Sequence, residues 1–239
     1  MISVIAAFAL GAHSPWSCLR FDKDGQVAVV PYQKAMNLDQ ATVEAWINTE
    51  PSPHYYSYVL NRNYGGLGYG IALHGRPDKV FSQADTVKVP MGVWTHVAIV
   101  FSDKAQKTYI NGELAAAGER SPRHEIFVHD LLIGNSDFFG SPGNEPTGFR
   151  GEIDEVRIWS KPHTQAEIRA TMNRYLRGNE AHLLAYFPFE EGSGQIVHDY
   201  TGHLMSGSLG RGYQPEEADP TWSVGVDLKG RRPSARRMR

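Results

Sequence analysis

Residues Val93 to Ala116 read V-W-T-H-V-A-I-V-F-S-D-K-A-Q-K-T-Y-I-N-G-E-L-A-A, a succession of strand-like runs and tight turns. Trp94 to Phe101 is rich in β-branched and aromatic residues, which suit a pleated surface. Both alternating faces of this run are largely apolar, so it predicts a central strand covered on both sides. Lys107 to Ile110 predicts the returning strand, and Asn111-Gly112 predicts a type I′ turn, whose two central residues need positive φ. A third strand follows, and so apolar a meander requires a second layer to cover it.

The composition is that of an ordinary globular protein. The chain has 239 residues, of which 41% are hydrophobic and 21% charged, and one large all-β domain fits this length as well as two small ones. The net charge of −2 gives no reason to expect nucleic acid as a partner. The tail Lys229 to Arg239 has six basic residues and no acid, which predicts a disordered basic tail, with polyanion binding as the alternative. A single cysteine, Cys18, excludes an internal disulfide framework.

Many further short strands, separated by turn signals, are spread along the chain. Even spacing of this kind predicts a sandwich or jelly roll. One helix interrupts the strands: Thr164-Gln165-Ala166-Glu167 forms a capping box, and Gly178 stands where the helix would end. The apolar stripe of this helix comprises Ile168, Met172, Tyr175 and Leu176. The predicted fold is an all-β, two-sheet antiparallel jelly-roll sandwich with one short helix after the last main strand.

Six motifs in order resemble the laminin-G-like, concanavalin A-like jelly-roll modules over Cys18 to Trp159. They are L-R-F-D-K-D-G-Q-V-A-V-V-P, T-V-E-A-W-I-N, G-V-W-T-H-V-A-I-V-F, K-T-Y-I-N-G-E-L-A-A-A-G, L-L-I-G-N-S and F-R-G-E-I-D-E-V-R-I-W. The resemblance implies two antiparallel sheets, an extracellular setting and often a structural calcium ion. It does not specify a ligand, because one fold hosts many functions.

The resemblance also divides the chain into segments. Residues 1–17 are either a first strand or a signal-like segment, 18–160 the laminin-G-like jelly roll, and 161–178 the helix. Leu183 to His203 looks like the piece that precedes the L-R-F-D strand in tandem members of the family. So short a segment cannot bury a core alone, and residues 179–228 are therefore predicted to complete the sandwich with C-terminal strands; an incomplete second domain is the alternative. Residues 229–239 form the basic tail.

The hypothesis that the chain is a glycosidase depends on the acids of Glu152-Ile153-Asp154-Glu155-Val156-Arg157. The resemblance extends to glycosidases of the same superfamily, in which one strand has the pattern E-x-D-x-E and so places three acids on one face. Retaining hydrolysis needs two carboxyl groups about 5 Å apart. Strict alternation puts Val156 at the third position of the Glu152 face and turns Glu155 to the opposite side. No catalytic residue is therefore predicted, and the chain is expected not to be an enzyme.

Calcium is the metal that the sequence favours. It takes six to eight hard oxygen ligands, and Asp22-Lys23-Asp24-Gly25 offers two carboxylates in a tight turn. The resemblance adds Asp154 as a third ligand. The predicted metal site is therefore Asp22, Asp24 and Asp154, unless Asp22 and Asp24 only make an Asx turn.

Aromatic residues in loops are the best candidates for ligand recognition. Their faces stack on sugars while their polar tips form hydrogen bonds, and loops often carry function. The predicted ligand-binding residues are Tyr55, Tyr56, Tyr64, Tyr69, Phe138 and Phe139. They favour a non-catalytic, secreted or cell-surface module that binds a carbohydrate or glycoprotein, with no nucleic acid partner and no membrane insertion. A structural assembly or adhesion subunit without a pocket and a diverged glycoside hydrolase are the alternatives.

Overall fold

The computed structural model describes residues 16–62, 68–74, 79–80, 87–120, 128–136, 147–212 and 216–228. These residues form a sandwich of two antiparallel sheets, with one short α-helix after the long strand that ends at Trp159. The predicted fold class is thereby confirmed. The N-terminal segment before Trp16 and the basic tail from Lys229 lie outside the described residues.

The described strands and helix are numbered in chain order. The strands are β1 Ser17–Phe21, β2 Ala28–Val30, β3 Ala41–Thr49, β4 Tyr56–Arg62, β5 Tyr69–His74, β6 Lys79–Val80, β7 Val87–Lys88, β8 Thr95–Phe101, β9 Ala105–Ile110, β10 Glu113–Glu119, β11 Leu131–Ile133, β12 Gly151–Trp159, β13 Leu183–Phe187, β14 Ile196–Val197, β15 Gly207–Leu209 and β16 Thr221–Val224. The helix α1 is Gln165–Thr171, and a single 3₁₀ turn covers Lys34–Met36.

Two sheets contain all of these strands. The sheet that we call sheet A has the order β10-β9-β8-β3-β12-β1-β16, and β13 also pairs with β12. Sheet B has the order β14-β15-β2-β11-β4-β5-β6-β7. The apolar core lies between the two sheets, because the inward positions of their strands alternate with polar outward ones. In β3, for example, Val43, Ala45 and Ile47 enter this core, and Glu44 and Trp46 lie on the outer face.

The meander predicted from Val93 to Ala116 is β8, β9 and β10. Residues Thr95 to Phe101 are buried throughout, as expected of a strand covered on both faces. At the hairpin between β9 and β10, Asn111 has φ of 49° and Gly112 has φ of 76°. Both signs match the type I′ turn. The returning strand begins two residues earlier than predicted, at Ala105.

The alternation predicted for β12 is wrong after Asp154. The pairing of β12 with β3 shifts register between Asp154 and Arg157, and Glu155 adopts φ of 53°. This β-bulge inserts one residue, so every later side chain changes face. Val156 enters the core, and Glu155 and Arg157 join Asp154 on the outer face of sheet A.

Helix α1 is shorter than the sequence predicts. The capping box is present, because Thr164 accepts from Glu167 N–H and the Glu167 carboxylate accepts from Thr164 N–H. The helix ends at Thr171, not near Gly178. Ile168 packs on the outer face of sheet A against Ala98, Val100 and Tyr109. Gly178 lies beyond the end of the helix and has φ of 85°. An added Cβ at this position would lie 2.1 Å from the carbonyl oxygen of Tyr200, so the close approach of that carbonyl requires glycine.

The segment after residue 179 contributes strands to both sheets. In sheet A, β13 pairs with β12 and β16 pairs with β1. In sheet B, β15 pairs with β14 and β2. The inward side chains Ala185, Phe187, Val197 and Leu209 belong to the same core as β1 and β3. Within the described part of the chain, no helix is long and apolar enough to span a bilayer.

Candidate functional site

Three aromatic rings meet on the outer face of sheet B. Tyr55 and Tyr56 lie at the start of β4, with ring centroids 4.8 Å apart in an edge-to-face arrangement. The Tyr55 ring lies 6.0 Å from the imidazole of His74, the residue that pairs with Tyr56 across the β4–β5 ladder. Tyr58 follows on the same face, opposite Ala72. We call these four residues, Tyr55, Tyr56, Tyr58 and His74, the tyrosine surface.

The tyrosine surface is open to solvent where its rings meet. Tyr55 is 55% exposed and Tyr56 is 41% exposed, so both rings are accessible from solvent. Tyr58 is half-buried, and burial followed by the proximity of Tyr56 raises the pKa of its hydroxyl. Tyr58 therefore stays neutral and can donate a hydrogen bond near neutral pH.

A buried histidine anchors the loop that presents Tyr55. The Nε2 atom of His54 lies 2.7 Å from Asp24 Oδ1, and its backbone N–H donates to the Ser52 hydroxyl. Arg150 donates to the same Asp24 oxygen at 2.6 Å. Desolvation would raise the pKa of Asp24, but the contacts with His54 and Arg150 lower it. The turn after β1 and the loop before β4 are thereby fastened to each other.

Of the six residues predicted to bind a ligand, the structure brings two together. Tyr55 and Tyr56 form the exposed part of the tyrosine surface, and their binding role stays a prediction. Tyr69 is 1% exposed, donates its hydroxyl to the Met36 carbonyl and lies beneath the Arg62 guanidinium, so it packs inside the sandwich and cannot stack on a ligand at the surface. Its inward position on β5 follows from the alternation of Tyr69, Ile71 and Leu73. Tyr64, Phe138 and Phe139 lie outside the described residues.

The three carboxylates predicted to bind calcium do not meet. The β1–β12 ladder pairs Phe21 with Gly151, so Asp22 lies beyond its end and Asp154 lies about 13 Å back along it at about 3.3 Å per residue. Asp22 instead accepts from the Gln26 side chain. Among the described residues, no group of three His, Cys, Asp or Glu side chains is placed to hold a metal ion. A single ion held by Asp22, Asp24 and Asp154 is therefore incompatible with the strand register.

Asp154 has a different task in the structure. Its Oδ1 accepts from the backbone N–H of Glu155 at 2.8 Å, and its Oδ2 accepts from the backbone N–H of Val226 at 2.9 Å. Gly225 allows this approach, because an added Cβ there would lie 2.4 Å from Asp154 Oδ2. The 1% exposed carboxylate thus joins the β12 bulge to the C-terminal segment.

The acids of β12 belong to a buried charge cluster on the outer face of sheet A. Arg157 Nη2 donates to Glu155 Oε2 at 2.7 Å, and Arg157 Nη1 lies 3.4 Å from Glu44 Oε1. The Tyr186 hydroxyl donates to Glu155, and Trp159 Nε1 donates to Glu44 at 3.0 Å. We call these five residues, Glu44, Glu155, Arg157, Trp159 and Tyr186, the buried charge cluster; none is more than 2% exposed.

The segment after α1 closes over the buried charge cluster. Arg157 donates to the carbonyl oxygens of Thr171 and Arg174, and Trp46 Nε1 donates to that of Met172. Burial alone would raise the pKa of Glu44, but the contacts with His96, Arg157 and Trp159 lower it to about 2. The central acid of the cluster is therefore ionised, paired and shielded from any substrate.

The sequence profile of the Laminin_G_3 family, described as the concanavalin A-like lectin/glucanases superfamily, matches residues 21–169. This chain belongs to that family. The match confirms the resemblance carried by the six motifs and covers well over half of the chain. No curated protein matches the laminin-G-like chain.

Several solved structures are similar to this chain at low sequence identity. A candidate carbohydrate-binding protein of Bacteroides ovatus is 18% identical with a TM-score of 0.66, covering 91% of this chain. The chain spans 62% of that protein's length. A heptameric SAP-like pentraxin of Limulus polyphemus is 17% identical over 70% of this chain and 83% of its own, with a TM-score of 0.47. A Trypanosoma rangeli sialidase is 18% identical over 64% of this chain and 27% of its own, with a TM-score of 0.48.

Proposed function

We propose that this chain is a carbohydrate-binding module that recognises its glycan on the tyrosine surface and does not hydrolyse it. The observation that carries the proposal is the exposed contact of Tyr55, Tyr56 and His74 on one sheet face. Aromatic faces and phenolic hydroxyls suit the mixed apolar and polar surface of a sugar. The Bacteroides ovatus protein, described as a candidate carbohydrate-binding protein, supports the same class of ligand.

The acids of β12 support the non-hydrolytic part of the proposal. The β-bulge places Glu152, Asp154 and Glu155 on one face, so β12 has neighbouring carboxyl groups that strict alternation does not predict. Two of these carboxyl groups are engaged inside the protein. Glu155 is bound by Arg157 and Tyr186 beneath the segment after α1, and Asp154 accepts two backbone N–H groups. Glu155 could reach a glycosidic bond only after the segment after α1 opened, and Asp154 only after it lost its hydrogen bond from Val226 in the C-terminal segment.

Glycan-array binding followed by calorimetry with the best binder tests the proposal. Tyr55→Ala and Tyr56→Ala should each weaken binding about three- to tenfold, since one aromatic contact contributes about 0.5–1.5 kcal/mol beyond its buried area. Tyr56→Phe keeps the ring and should lose less. Leu114→Ala, at a 50% exposed position in sheet A, is the matched control and should bind as the parent does.

Three outcomes would contradict this assignment. Absence of any glycan binder favours the structural or adhesion subunit. Binding that survives Tyr55→Ala and Tyr56→Ala would show that the glycan binds at another surface of the chain. Release of sugar by the protein, abolished by Glu152→Gln, establishes the diverged hydrolase instead. A glycoprotein partner, a secreted or cell-surface setting and a calcium ion remain parts of the proposal to be tested separately.

A further inference from the structure

The segment that leads into the tyrosine surface is held by charged groups near both of its ends. We call residues 50–55, between β3 and β4, the β3–β4 loop. At its start, Arg20 donates to both carboxylate oxygens of Glu50, at 2.8 and 3.1 Å. Near its far end, His54 Nε2 lies 2.7 Å from Asp24 Oδ1. Arg20 belongs to β1 and Asp24 to the turn that follows it, so one strand and its turn hold both ends of the loop.

Arg150 connects the two ends. Its side chain donates to Asp24 Oδ1 at 2.6 Å, and its carbonyl oxygen accepts from the backbone N–H of Glu50 at 3.0 Å. Hydrogen bonds to an ionised carboxylate are shorter and stronger than neutral ones. The His54 side chain is only 5% exposed, so loss of the Asp24 carboxylate would leave a buried imidazole nitrogen without its partner. Such a loss is costly, which makes Asp24 the central group of this arrangement.

The residues between the two held ends stiffen the β3–β4 loop. Pro51 and Pro53 fix their own φ at about −65° and restrict the residue before each of them to extended conformations. Ser52 is buried, and its hydroxyl accepts from the backbone N–H of His54 at 3.1 Å. A short loop with two prolines and both ends held has few conformations. It therefore presents Tyr55 in a defined place.

Tyr55 depends on the β3–β4 loop more than the other tyrosines do. Tyr56 belongs to β4 and pairs with His74 across the ladder, whereas Tyr55 precedes the strand. The Tyr55 ring is 55% exposed and contacts Tyr56 and His74 from one side. The position of so exposed a ring is set by its backbone as well as by its neighbours. That backbone directly follows His54.

We propose that Asp24 and His54 are positioning residues for glycan recognition: their contact holds Tyr55 in the binding-competent place before the glycan arrives. This inference rests on the proposed function and adds residues that act on its site through Tyr55. A site whose competent form is only partly populated binds more weakly in proportion to that fraction, and a preformed site avoids the cost of ordering on binding. Loss of the contact should therefore weaken binding although every ring of the tyrosine surface remains.

Substitutions in the full chain test this role, with the array glycan that the parent binds most tightly as the probe. His54→Leu removes the donor to Asp24 and should weaken binding about three- to tenfold, the range expected for one lost hydrogen bond. His54→Gln places an amide N–H₂ near the position of Nε2 and should keep affinity within about twofold of the parent. Asp24→Ala should lose about as much as His54→Leu. The double variant should lose no more than either single one, because both changes remove the same contact.

Cleavage by chymotrypsin, which cuts after aromatic residues, reports on the β3–β4 loop without any glycan. Cleavage after Tyr55 should be roughly threefold or more faster in His54→Leu than in the parent, because it follows the population of the open loop. His54→Gln should be cleaved as slowly as the parent. His198→Leu is the matched control: it breaks another histidine–carboxylate contact, from His198 Nδ1 to Glu191 Oε1 at 3.0 Å, beside the edge strand β14. It should change neither cleavage after Tyr55 nor glycan affinity.

The possible outcomes distinguish the failure of this inference from that of the proposed function. All affinities are measured below the lowest melting temperature of the set, so that loss of folded protein does not count as loss of affinity. Binding that depends on Tyr55 but survives His54→Leu and Asp24→Ala leaves the carbohydrate-binding module and refutes the positioning role. Equal losses in His54→Leu and His54→Gln refute it as well, because the second variant keeps the donor. Absence of any glycan binder refutes the proposed function and the positioning of a glycan-binding ring with it, even if chymotrypsin shows that Asp24 fastens the loop.

Discussion

Asp154 and Glu155 are adjacent acids whose positions depend on one backbone conformation. Glu155 adopts positive φ, which is uncommon for a residue that is not glycine, and the bulge carries Arg157 to the outer face. Strict alternation holds from Glu152 to Asp154 and fails at Glu155. A bulge without glycine leaves no mark in the residue types, so the sequence could not reveal it. Buried partners such as Tyr186 and Glu44 come from distant strands and could not be paired from the sequence either.

Asp154 gives the residue-scale prediction. Changing Asp154 to Asn places an amide N–H₂ near backbone N–H groups that now donate to carboxylate oxygens. An unsatisfied buried polar group costs about 1–3 kcal/mol, so the melting temperature should fall by about 4–8 °C for a change of about 2 kcal/mol. Thermal unfolding in chelator measures this loss in the absence of calcium.

The same measurement tests calcium. If calcium binds the parent chain, millimolar calcium should raise its melting temperature relative to chelator. Because Asp154 lies about 13 Å along the ladder from Asp22, Asp154→Asn should keep any such shift although it starts from a lower temperature. Asp24→Asn is the companion variant. Identical melting of the parent in chelator and calcium would remove calcium from the proposal, and an unchanged melting temperature of Asp154→Asn in chelator would contradict its structural role.

Among the elements, the β9–β10 hairpin and the start of α1 could be predicted from the sequence, but the end of α1 could not. Asn111-Gly112 determines its turn by local chemistry, and Thr164 with Glu167 determines the start of α1 in the same way. The end of α1 depends on tertiary contacts. The carbonyl oxygens of Thr171, Met172 and Arg174 accept from Arg157 and Trp46, and Tyr175 and Leu176 pack on different clusters. The apolar periodicity continues past Thr171, so it could not show where the helix stops.

The segment after α1 covers the buried charge cluster, and the burial of Glu44 in this cluster leads to a prediction about stability in acid. The pKa of Glu44 is about 2 in the folded protein and 4.5 for the ordinary side chain. A lowered folded-state pKa stabilises the protein above pH 4.5, and this contribution is lost as the pH falls from 4.5 toward 2. The pKa difference corresponds to a free energy on the order of 3 kcal/mol. Chemical unfolding of the parent between pH 2 and pH 7 should show this decline.

Glu44→Gln isolates that contribution. The amide oxygen can still accept from Trp159, but Arg157 loses one of its two charged partners, and breaking a buried ion pair costs about 3–5 kcal/mol. The variant should be less stable at pH 7 and should lose less stability than the parent between pH 4.5 and pH 2. Glu119→Gln, at an exposed position on β10, should follow the parent. Parallel stability curves for the parent and Glu44→Gln would show that another carboxylate governs the acid transition.

At the scale of the whole molecule, the ends of the described chain are neighbours. In sheet A, Ser17 pairs with Val224 and Arg20 with Thr221, so β16 and β1 form an antiparallel pair. The backbone N–H of Gly225 donates to the Trp16 carbonyl at 3.2 Å. The order of the family motifs predicts that residues 179–228 complete the sandwich. The partner strand and its register could not be read from the sequence, because they depend on core packing between segments about 200 residues apart.

This adjacency predicts that the molecule tolerates circular permutation. A chain that starts at Asn179, runs to Leu228, continues through a linker of six Gly and Ser residues and ends with residues 16–178 would turn β16 and β1 into a linked pair. Such a linker spans about 12–15 Å on average, enough to join the neighbouring ends. The permuted protein should unfold cooperatively within about 10 °C of the parent and keep its glycan affinity, since every strand pair and the tyrosine surface are retained.

A shortened chain that stops at Gly178 is the companion to the permuted protein. It lacks β13 to β16 and with them core residues such as Phe187 and Leu209, so it exposes the rest of the core and should aggregate. If instead the shortened chain melts like the parent while the permuted one does not fold, the C-terminal strands are not part of the sandwich core.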